Sequence, residues 1–440
     1  MAGARETALS ALIACRKNGA WPNGVLKEYI SRDHLDSRDG ALATRLCYGV
    51  LQNRSKLDFY LSQLLRGKIK NLHPAARDIL HLGLYQLYEM DRIPESAAVN
   101  ESVALVKKYC PRQPALKGLV NGVLRSAVRE KDNLKQPQSY EDRYSHPEKL
   151  IKLLKGSLPK GTLEPMLIAD NQAPDMTVQV NTVKITAREL TEILESEHVT
   201  VRPHPWMPDC LVLSGTGSIE ELPSFRQGLY YVQDPAAKLA VLCAELPEDR
   251  ELQILDCCAA PGGKSFASAV ATGGRSRIFA CDIYPHKAEL IAKGAARLGF
   301  DRIETFVCSA AEPREDWKGT MDAVIADVPC SGYGIIRKKP DIRYKDPDEM
   351  KDLPRLQLAI LSNQADYVKP GGVLMYSTCT VLKRENEEVV KAFLESDSRF
   401  TLEPLPMPAP FPENTSGMLT LIPGQYDPDG FFICRLRRNV

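Results

Sequence analysis

The stretch "LQILDCCAAPGGKS", residues 252–265, carries the strongest signal for the fold, because an apolar run ends in an aspartate and passes directly into a loop of small residues and glycines. Glycines at a turn between a strand and a helix let the backbone approach a ligand closely and direct amide groups towards it. Further apolar runs follow, separated by segments of helical length such as "PHKAELIAKGAARLG"; they are "RIFACD", "ETFV", "DAVIAD" and "GGVLMYS". This alternation predicts an α/β domain over residues 233–440, with a doubly wound, mostly parallel, Rossmann-like sheet.

The first 135 residues predict a separate all-helical domain. In "RDILHLGLYQLYEM" and "AAVNESVALVKKY" apolar residues recur at i, i+4 and i+7, which is typical of amphipathic helices. Residues 1–130 hold 20 Lys and Arg against 12 Asp and Glu, whereas the remainder of the chain is net negative. This asymmetry hints at a surface for nucleic acid, although a basic face is more often simply solvated.

Between these two regions the sequence predicts a linker and a small mixed domain. Residues 133–146 lose apolar periodicity and are typical of a linker. Residues 147–232 combine one helical segment, "ARELTEILESE", with short strand-like runs such as "TVQVNTV", "DCLVLSG" and "GLYYVQD". We therefore expect three domains, at residues 1–135, 147–232 and 233–440.

Composition excludes several classes of protein. The 440 residues are 44% hydrophobic and 26% charged, which is ordinary for globular proteins. No apolar run reaches the ~18 residues that a membrane helix needs, so we expect a soluble, cytoplasmic protein without membrane partners. The twelve cysteines form neither a spaced disulfide framework nor a CxxC pair for zinc, so we expect a reducing compartment and no metal site.

The glycine loop at residues 258–264 is open to three interpretations. A phosphate-binding P-loop needs GxxxxGK[ST]; Gly263, Lys264 and the following serine fit its end, but Cys258 stands at the position of the first glycine. A dinucleotide fingerprint needs GxGxxG, which is absent. The third interpretation is an S-adenosylmethionine loop, with Asp282 at the end of the next strand as the acceptor for two ribose hydroxyls. An acid at that position is also a common helix N-cap.

Two cysteines follow the ends of two other strands. Cys330 comes after "AVIADVP" and Cys379 after "GGVLMYST". Strand ends in a parallel sheet share one edge, so we expect both thiols to lie near one crevice, together with Asp327 and Lys264. A thiolate that adds to C6 of cytosine makes C5 nucleophilic, and a carboxylate at N3 favours the electron-poor ring that the addition needs. The alternative is that both thiols are inert residues at strand ends.

Three segments carry a specific resemblance. "DCCAAPGGKS", "DVPCSGYGIIRKKPDIRYK" and "YSTCTVLKRENEEVV" resemble the signature segments of the bacterial 16S ribosomal RNA cytosine-5 methyltransferases of the Fmu/Sun (RsmB) type. Residues 1–130 resemble the NusB-like RNA-binding domain of these enzymes through "ATRLCYGVLQNRSKLDFYL", "ILHLGLYQLYEMDRIPESAAVNESV" and "LKGLVNGVLR". The resemblance covers nearly the whole chain, with its segments in the order typical of the family.

This resemblance implies roles for individual residues. Cys379 is implied as the nucleophile, Cys330 as the thiol used in product release, and Asp327 as a residue that lines the cofactor and base sites. S-adenosylmethionine is implied as the cofactor, held by Asp282, Asp327 and the loop residues Cys258, Ala259, Ala260, Pro261, Gly262, Gly263 and Lys264. The family usually has an aspartate near the adenine where this chain has Ser309, so that contact is altered.

The resemblance also implies a substrate and partners. We expect 16S rRNA as the partner, free or in a partly assembled small subunit, and a monomeric enzyme. The basic segment "IIRKKPDIRYK", residues 335–345, is interpreted as an RNA-contacting loop that includes Tyr344 for stacking on a base. Three rival hypotheses are a catalytically silent RNA-binding assembly factor, a nucleotide hydrolase that uses "GGKS", and a methyltransferase that acts on transfer RNA or another ribosomal site.

Overall fold

The structure, a computed structural model, describes residues 2–18, 22–425 and 428–440. The chain divides into two compact units. The first comprises residues 1–153 together with the distant segment 336–345, and the second comprises residues 154–335 and 346–440. Within the described ranges, no helix is both long and apolar enough to cross a membrane.

The first unit is helical, as the apolar spacing predicts. Its helices are α1 (Ala4–Asn18), α2 (Pro22–Arg32), α3 (Ser37–Gln52), α4 (Arg54–Leu64), α5 (Pro74–Glu89), α6 (Glu95–Tyr109), α7 (Ala115–Arg129) and α8 (Tyr140–Tyr144). Their apolar faces share one core, in which Leu9, Leu46, Leu57, Leu80 and Leu124 are fully buried. Burial of these faces supplies most of the stability of such helices, since their intrinsic propensity is modest.

The structure corrects the prediction of a linker at residues 133–146. The side chain of Gln136 accepts a hydrogen bond from Tyr60 at 2.8 Å, and the hydroxyl of Ser145 accepts one from the backbone N–H of Lys56 at 3.0 Å. His146 is fully buried. Polar side chains attach this segment to α4. Polar contacts do not produce a periodic pattern of apolar residues, so the sequence pattern does not reveal them.

The second unit begins with a small mixed domain. Its elements are α9 (Glu148–Ser157), whose first residues lie in the first unit, α10 (Leu163–Ala169), β1 (Met176–Val180), α11 (Ala187–Ser196), β2 (Thr200–Pro203), β3 (Cys210–Ser214), α12 (Pro223–Arg226) and β4 (Tyr230–Val232). The strands form an antiparallel sheet in the order β2-β3-β1-β4. A capping box between Thr186 and Glu189 begins α11, whose apolar residues Leu190 and Leu194 pack against this sheet.

The remainder of the second unit is an α/β domain. Its elements are α13 (Pro235–Leu242), β5 (Gln253–Asp256), α14 (Gly263–Ala271), β6 (Arg277–Asp282), α15 (Pro285–Leu298), β7 (Ile303–Val307), β8 (Met321–Asp327), α16 (Leu353–Ala365), β9 (Val368–Thr378), α17 (Glu387–Ser396), β10 (Phe400–Leu402), β11 (Met418–Leu421) and β12 (Phe431–Arg438). Short 3-10 helices occupy several connections.

The sheet of this domain has the order β10-β12-β9-β8-β5-β6-β7, with β11 paired to β12. Strands β5 to β9 are parallel, and β10 to β12 pair antiparallel at one side. Alternate residues point to opposite faces: Leu255 and Val324 pack with α16 and α17, whereas Ile254 and Ala323 pack with α14 and α15. Helices therefore cover both faces, and the predicted doubly wound, mostly parallel sheet is confirmed.

Candidate active site

The parallel strands end together at one edge of the sheet. Chain order runs from β5 outward through β6 and β7 on one side, and through β8 and β9 on the other. A crevice forms outside the carboxyl ends of the strands where the order reverses, which here is between β5 and β8. The loops after β5, β8 and β9 carry the residues that the sequence singles out.

A cavity of about 200 Å³ lies beside the loop after β5. It is lined by Val232, Gln233, Ala237, Asp256, Cys258, Ala259, Ala260, Pro261, Gly263, Lys264 and Asp327. Gly262 does not line this cavity but shapes the loop, because its φ of +110° lies in the left-handed region that favours glycine. A Cβ at Gly262 would also stand 2.4 Å from the ring of Phe266. The loop residues of the predicted cofactor site thus surround one cavity.

Lys264 and Asp327 form an ion pair at the carboxyl end of β8. Lys264 Nζ donates to Asp327 Oδ2 at 2.6 Å, and Ser377 Oγ donates to Asp327 Oδ1 at 2.8 Å. Burial alone would lower the pKa of Lys264, but the carboxylate of Asp327 outweighs it and the pKa is raised. Lys264 is therefore a cation at neutral pH, and its ammonium also lies 5.0 Å from the ring centre of Phe431.

The structure brings the two thiols together, which confirms that they share one crevice. Cys330 Sγ and Cys379 Sγ are 3.1 Å apart. The hydrogen bond with Cys379 and burial raise the pKa of Cys330 well above its ordinary value. Either thiol can donate in this contact. Both residues are half-buried.

Buried polar side chains hold the two cysteine loops. Glu385 is fully buried, and its Oε2 accepts hydrogen bonds from the N–H of Ser331 at 2.9 Å and from Gln357 Nε2 at 3.0 Å. The hydroxyls of Ser331 and Thr380 are 2.8 Å apart, which joins the residue after Cys330 to the residue after Cys379. These contacts join the loop after Cys330 to the loop after Cys379, so each loop helps to hold the other in place.

Asp282 and Ser309 do not line the cavity described above. The Asp282 carboxylate accepts a hydrogen bond from the N–H of Tyr284 at 3.0 Å and lies 3.8 Å from Lys287 Nζ. The acceptor serves the N–H of Tyr284, which precedes α15, so Asp282 forms a turn before the helix and does not cap it. Ser309 follows β7, and the N–H of the preceding Cys308 donates to the backbone oxygen of Asp282 at 3.2 Å. The two residues lie on neighbouring strand ends, and their contact with a cofactor stays a prediction.

Two polar residues of the cavity are not found by the sequence interpretation. Asp256 ends β5 and is fully buried; its Oδ2 accepts from Ser265 Oγ at 2.7 Å. Burial raises the pKa of Asp256 to about 6. An acid at the end of an apolar run is a signal that could have identified it. Gln233 lies at the boundary of two predicted domains, and its sequence neighbourhood carries no such signal.

The structure limits the interpretation of residues 335–345 as an RNA-contacting loop to residues other than Arg343 and Tyr344, for which RNA contact stays a prediction. Residues 336–345 belong to the helical unit, and Arg343 is fully buried there. Arg343 Nη1 donates to the backbone oxygens of Gln52 and Tyr144, and the Tyr344 hydroxyl donates to that of Leu51 at 2.9 Å. These side chains are occupied by backbone carbonyls, so they do not serve as phosphate or stacking contacts in this conformation.

Across residues 2–18, 22–425 and 428–440, no cluster of His, Cys, Asp or Glu is suited to hold a metal ion.

Three family models match the chain. The model described as 16S rRNA methyltransferase RsmB/F matches residues 243–437, the NusB family model matches residues 2–129, and a model of the RsmF/B-like ferredoxin-like domain matches residues 146–220. Together they follow the helical, mixed and α/β parts of the fold.

Relatives match over almost the whole length. The probable ribosomal RNA small subunit methyltransferase B of Bacillus subtilis is 34% identical over 447 residues, which cover 99% of this chain and 98% of the relative. The ribosomal RNA small subunit methyltransferase B of Vibrio cholerae is 35% identical over 417 residues, which cover 93% of this chain and 92% of the relative.

Solved structures share the fold. The crystal structure of PH0851 aligns with a TM-score of 0.81 at 22% identity, covering 99% of this chain and 98% of that chain. NSun6 from Pyrococcus horikoshii, solved with SFG, aligns with a TM-score of 0.59 at 20% identity, covering 66% of this chain and 98% of that chain. At these identities the likeness concerns the fold.

Proposed function

The chain belongs to the RsmB/F family of 16S rRNA methyltransferases, and on this premise we propose that it transfers a methyl group from S-adenosylmethionine to C5 of a cytidine in 16S rRNA. The observation that supports this proposal most directly is the pair of thiols, Cys330 and Cys379, whose sulfur atoms are 3.1 Å apart. They lie after β8 and β9, beside the Lys264–Asp327 ion pair. A reaction that forms and then breaks a carbon–sulfur bond needs one nucleophile and one group to assist release, and the site offers two thiols.

The residues present fit the proposed cofactor. Gly263 lines the cavity and begins α14, whose first backbone N–H groups lie beside it. Lys264 and Asp327 border the same cavity. In the proposal, residues 258–264 and Asp327 hold the cofactor, and Asp282 and Ser309 contribute from the neighbouring strand ends. When bound, S-adenosylmethionine supplies an electrophilic methyl group next to the cysteine loops.

Cys379 is the proposed nucleophile. Its Sγ forms a bond to C6 of the cytosine, and the electron pair of the C5–C6 double bond moves into the ring, so that C5 becomes nucleophilic. The Thr-Cys segment that holds Cys379 resembles the family segment with the nucleophile, and this resemblance supports the assignment. The ammonium of Lys264 lies within electrostatic range of Cys379 and favours a negative charge there.

Cys330 is the proposed assistant in product release. After methylation the C5 proton must be removed and the bond between C6 and Cys379 Sγ must break, which restores the thiolate and the aromatic ring. The main cause of the raised pKa of Cys330 is its hydrogen bond with Cys379. Once Cys379 is bound to C6 as a thioether, that cause is removed, and the pKa of Cys330 falls from its resting value. Cys330 then loses its own proton to solvent more readily, and the resulting thiolate accepts the C5 proton.

Asp327 is proposed to bind the base. Each of its carboxylate oxygens already accepts one hydrogen bond, from Lys264 or from Ser377, and each has a second lone pair. One of these lone pairs can accept a hydrogen bond from a protonated N3 of cytosine, which stabilises the electron-poor ring that Cys379 attacks. The two existing contacts hold the carboxylate in place before the base arrives.

The proposed substrate is small-subunit rRNA, bound with the help of the helical unit. The excess of basic residues in 1–130 supports this role for the NusB-like domain. Whether the RNA is free or partly assembled, the monomeric state and the cytoplasmic location stay predictions of the sequence.

The proposal is tested by incubating the purified protein with S-adenosylmethionine and unmethylated small-subunit rRNA, followed by nucleoside mass spectrometry. We expect 5-methylcytidine at a single position and no methylated uridine or adenosine. Transfer RNA and large-subunit rRNA serve as matched substrates that should stay unmodified. A protein that binds small-subunit rRNA but methylates no RNA would be an assembly factor and would overturn the proposal.

A further inference from the structure

The cavity beside the glycine loop contains buried polar groups without partners. Gln233 is 7% exposed, and neither its amide nitrogen nor its amide oxygen has a hydrogen-bond partner among the described residues. The same holds for Oδ1 of the fully buried Asp256. Both side chains line the cavity of about 200 Å³. Buried polar groups are nearly always hydrogen-bonded, so these atoms indicate a ligand that completes them.

The side chain of Gln233 is held towards the glycine loop. Its backbone oxygen accepts hydrogen bonds from Thr177 Oγ1 at 3.0 Å and from Gln179 Nε2 at 3.1 Å, both on β1 of the small mixed domain. A Cβ built on Gly263 would lie 3.1 Å from Gln233 Nε2. The amide is thus placed against the first residue of α14, and the lack of a side chain at Gly263 leaves room for it.

The chemistry of these groups suits a zwitterion. The Gln233 amide offers both donors and an acceptor, the Asp256 carboxylate offers an acceptor, and the start of α14 offers backbone N–H donors. An α-amino acid group presents a carboxylate that needs donors and an ammonium that needs acceptors. Asp282 and Ser309, the residues predicted for the ribose and adenine, do not line this cavity, so the opposite end of the cofactor is the part that fits here.

We propose that Gln233 and Asp256 bind the α-amino acid end of the methyl donor, an inference that rests on the proposed function. Neither residue takes part in the chemistry of the base; both are positioning residues for the cofactor. The small mixed domain thereby gains a role, because β1 fixes the backbone at Gln233.

The test uses isothermal titration calorimetry of the full-length protein with two ligands. S-adenosylhomocysteine carries the α-amino acid group, and 5′-methylthioadenosine lacks it but keeps the adenine and ribose. Relative to wild type, we expect Gln233→Ala to weaken S-adenosylhomocysteine by about 10-fold, the effect of losing a hydrogen bond to a charged group, and to leave 5′-methylthioadenosine nearly unchanged. Asp256→Asn should show the same selectivity.

Two further variants keep the result interpretable. Gln233→Met preserves the length and packing of the side chain and should reproduce the loss if Gln233→Ala fails to fold. Gln86→Ala is the matched control, because Gln86 is equally buried but lies in the helical unit; its affinity for both ligands should equal that of wild type.

The outcomes separate the two proposals. If the Gln233 variants bind S-adenosylhomocysteine as tightly as wild type, or lose both ligands equally, this inference is wrong while the proposed function stands. If wild type binds neither ligand, the proposed cofactor is wrong and the inference fails with it.

Discussion

The surroundings of Cys330 and Cys379 make two chemically identical side chains unequal. The Cys330 loop is held by Glu385, which accepts the N–H of Ser331, and the two thiols are in contact at 3.1 Å. The ammonium of Lys264 interacts with Cys379 and donates to Asp327. The proposed division of roles between the thiols is argued from these contacts and from the family resemblance.

The carboxylate of Asp327 is expected to be essential for methyl transfer. Asp327→Asn keeps the side-chain volume but removes the negative charge beside Lys264 and the acceptor for a protonated base. We expect the single-turnover rate of methyl transfer to fall by about 10²- to 10⁴-fold. Asp322→Asn is the matched control, since Asp322 pairs with Lys369 at 3.1 Å at the other end of β8. An Asp327→Asn variant with the wild-type rate would remove this residue from the mechanism.

Asp256 should make stability depend on pH. Burial raises its folded-state pKa to about 6 from an ordinary 3.8, with Asp327 also raising it and Ser265 and Lys264 lowering it. An acid with a raised folded-state pKa stabilises the fold fully below its unfolded pKa, and this contribution is lost as pH rises through the folded value. Asp256→Asn removes the titration, so its free energy of unfolding should gain about 1 kcal/mol relative to wild type between about pH 5 and about pH 7.

Urea unfolding at both pH values measures this difference. A gap between variant and wild type that stays constant with pH would show that Asp256 does not titrate in this range.

The residues of the site differ in how far the sequence predicts them. Cys330, Cys379 and Asp327 could be predicted because each ends or follows an apolar run, which locates it at the edge of a parallel sheet. Gln233 could not be predicted, since Thr177 and Gln179, which donate hydrogen bonds to its backbone oxygen, lie far away in the chain. The burial of Gln233 and the lack of hydrogen-bond partners for its amide are properties of the folded cavity and leave no signal in the local sequence.

Three backbone segments meet at a pair of glycines next to the thiols. The N–H of Gly334 donates to the backbone oxygen of Cys379 at 2.9 Å, and the N–H of Gly430 donates to that of Gly334 at 2.7 Å. A Cβ on Gly334 would stand 2.0 Å from the Gly430 oxygen. Since that neighbour is backbone, a side chain at Gly334 must displace a whole segment.

Gly334→Ala is therefore expected to lower both stability and activity. We expect a loss of about 1–3 kcal/mol in the free energy of unfolding, as for overpacked core positions, and a reduced methylation rate because the Cys379 loop shifts. Gly118→Ala is the control: Gly118 lies in α7 with open space around it, so the change should stabilise the protein by about 0.5–1 kcal/mol. Equal stability of both variants would contradict the role of this contact.

The segment 336–345 should stabilise the helical unit. Arg343 Nη1 donates to the backbone oxygens of Gln52, Tyr144 and Ser145 at 2.9, 3.3 and 3.4 Å. Arg343→Met leaves these buried carbonyls without that donor, and we expect a loss of about 2–4 kcal/mol in urea unfolding. Arg129→Met, at an exposed ion pair with Glu130, should cost less than about 1 kcal/mol. Similar losses in the two variants would show that the Arg343 contacts contribute little.

The sequence predicts secondary structure best where burial is continuous. The five parallel strands of the sheet read as apolar runs, and all five were predicted. The edge strand β2 (Thr200–Pro203) was missed because most of it is exposed and it ends in proline, so no apolar run marks it. The antiparallel pairing of β12 with β9 joins segments distant in the chain and leaves no local signal.

The molecule combines three domain types, each matched by its own family model. The helical domain carries the basic excess, β1 of the small mixed domain holds the backbone at Gln233, and the α/β domain carries the thiols. The order of these domains and the fold class could be predicted from periodicity and resemblance. The assignment of residues 336–345 to the helical unit could not be predicted, because the basic residues of that segment are equally typical of a solvated loop.

The measurement that tests the central claim most directly compares covalent RNA adducts of wild type, Cys379→Ala and Cys330→Ala. Each protein is incubated with S-adenosylmethionine and small-subunit rRNA and analysed by denaturing gel and mass spectrometry, with Cys110→Ala in the helical core as the matched control. The account predicts that Cys330→Ala accumulates a covalent protein–RNA adduct, that Cys379→Ala forms neither adduct nor 5-methylcytidine, and that the control behaves as wild type. A Cys379→Ala variant that still methylates RNA would contradict the account and make Cys330 the nucleophile.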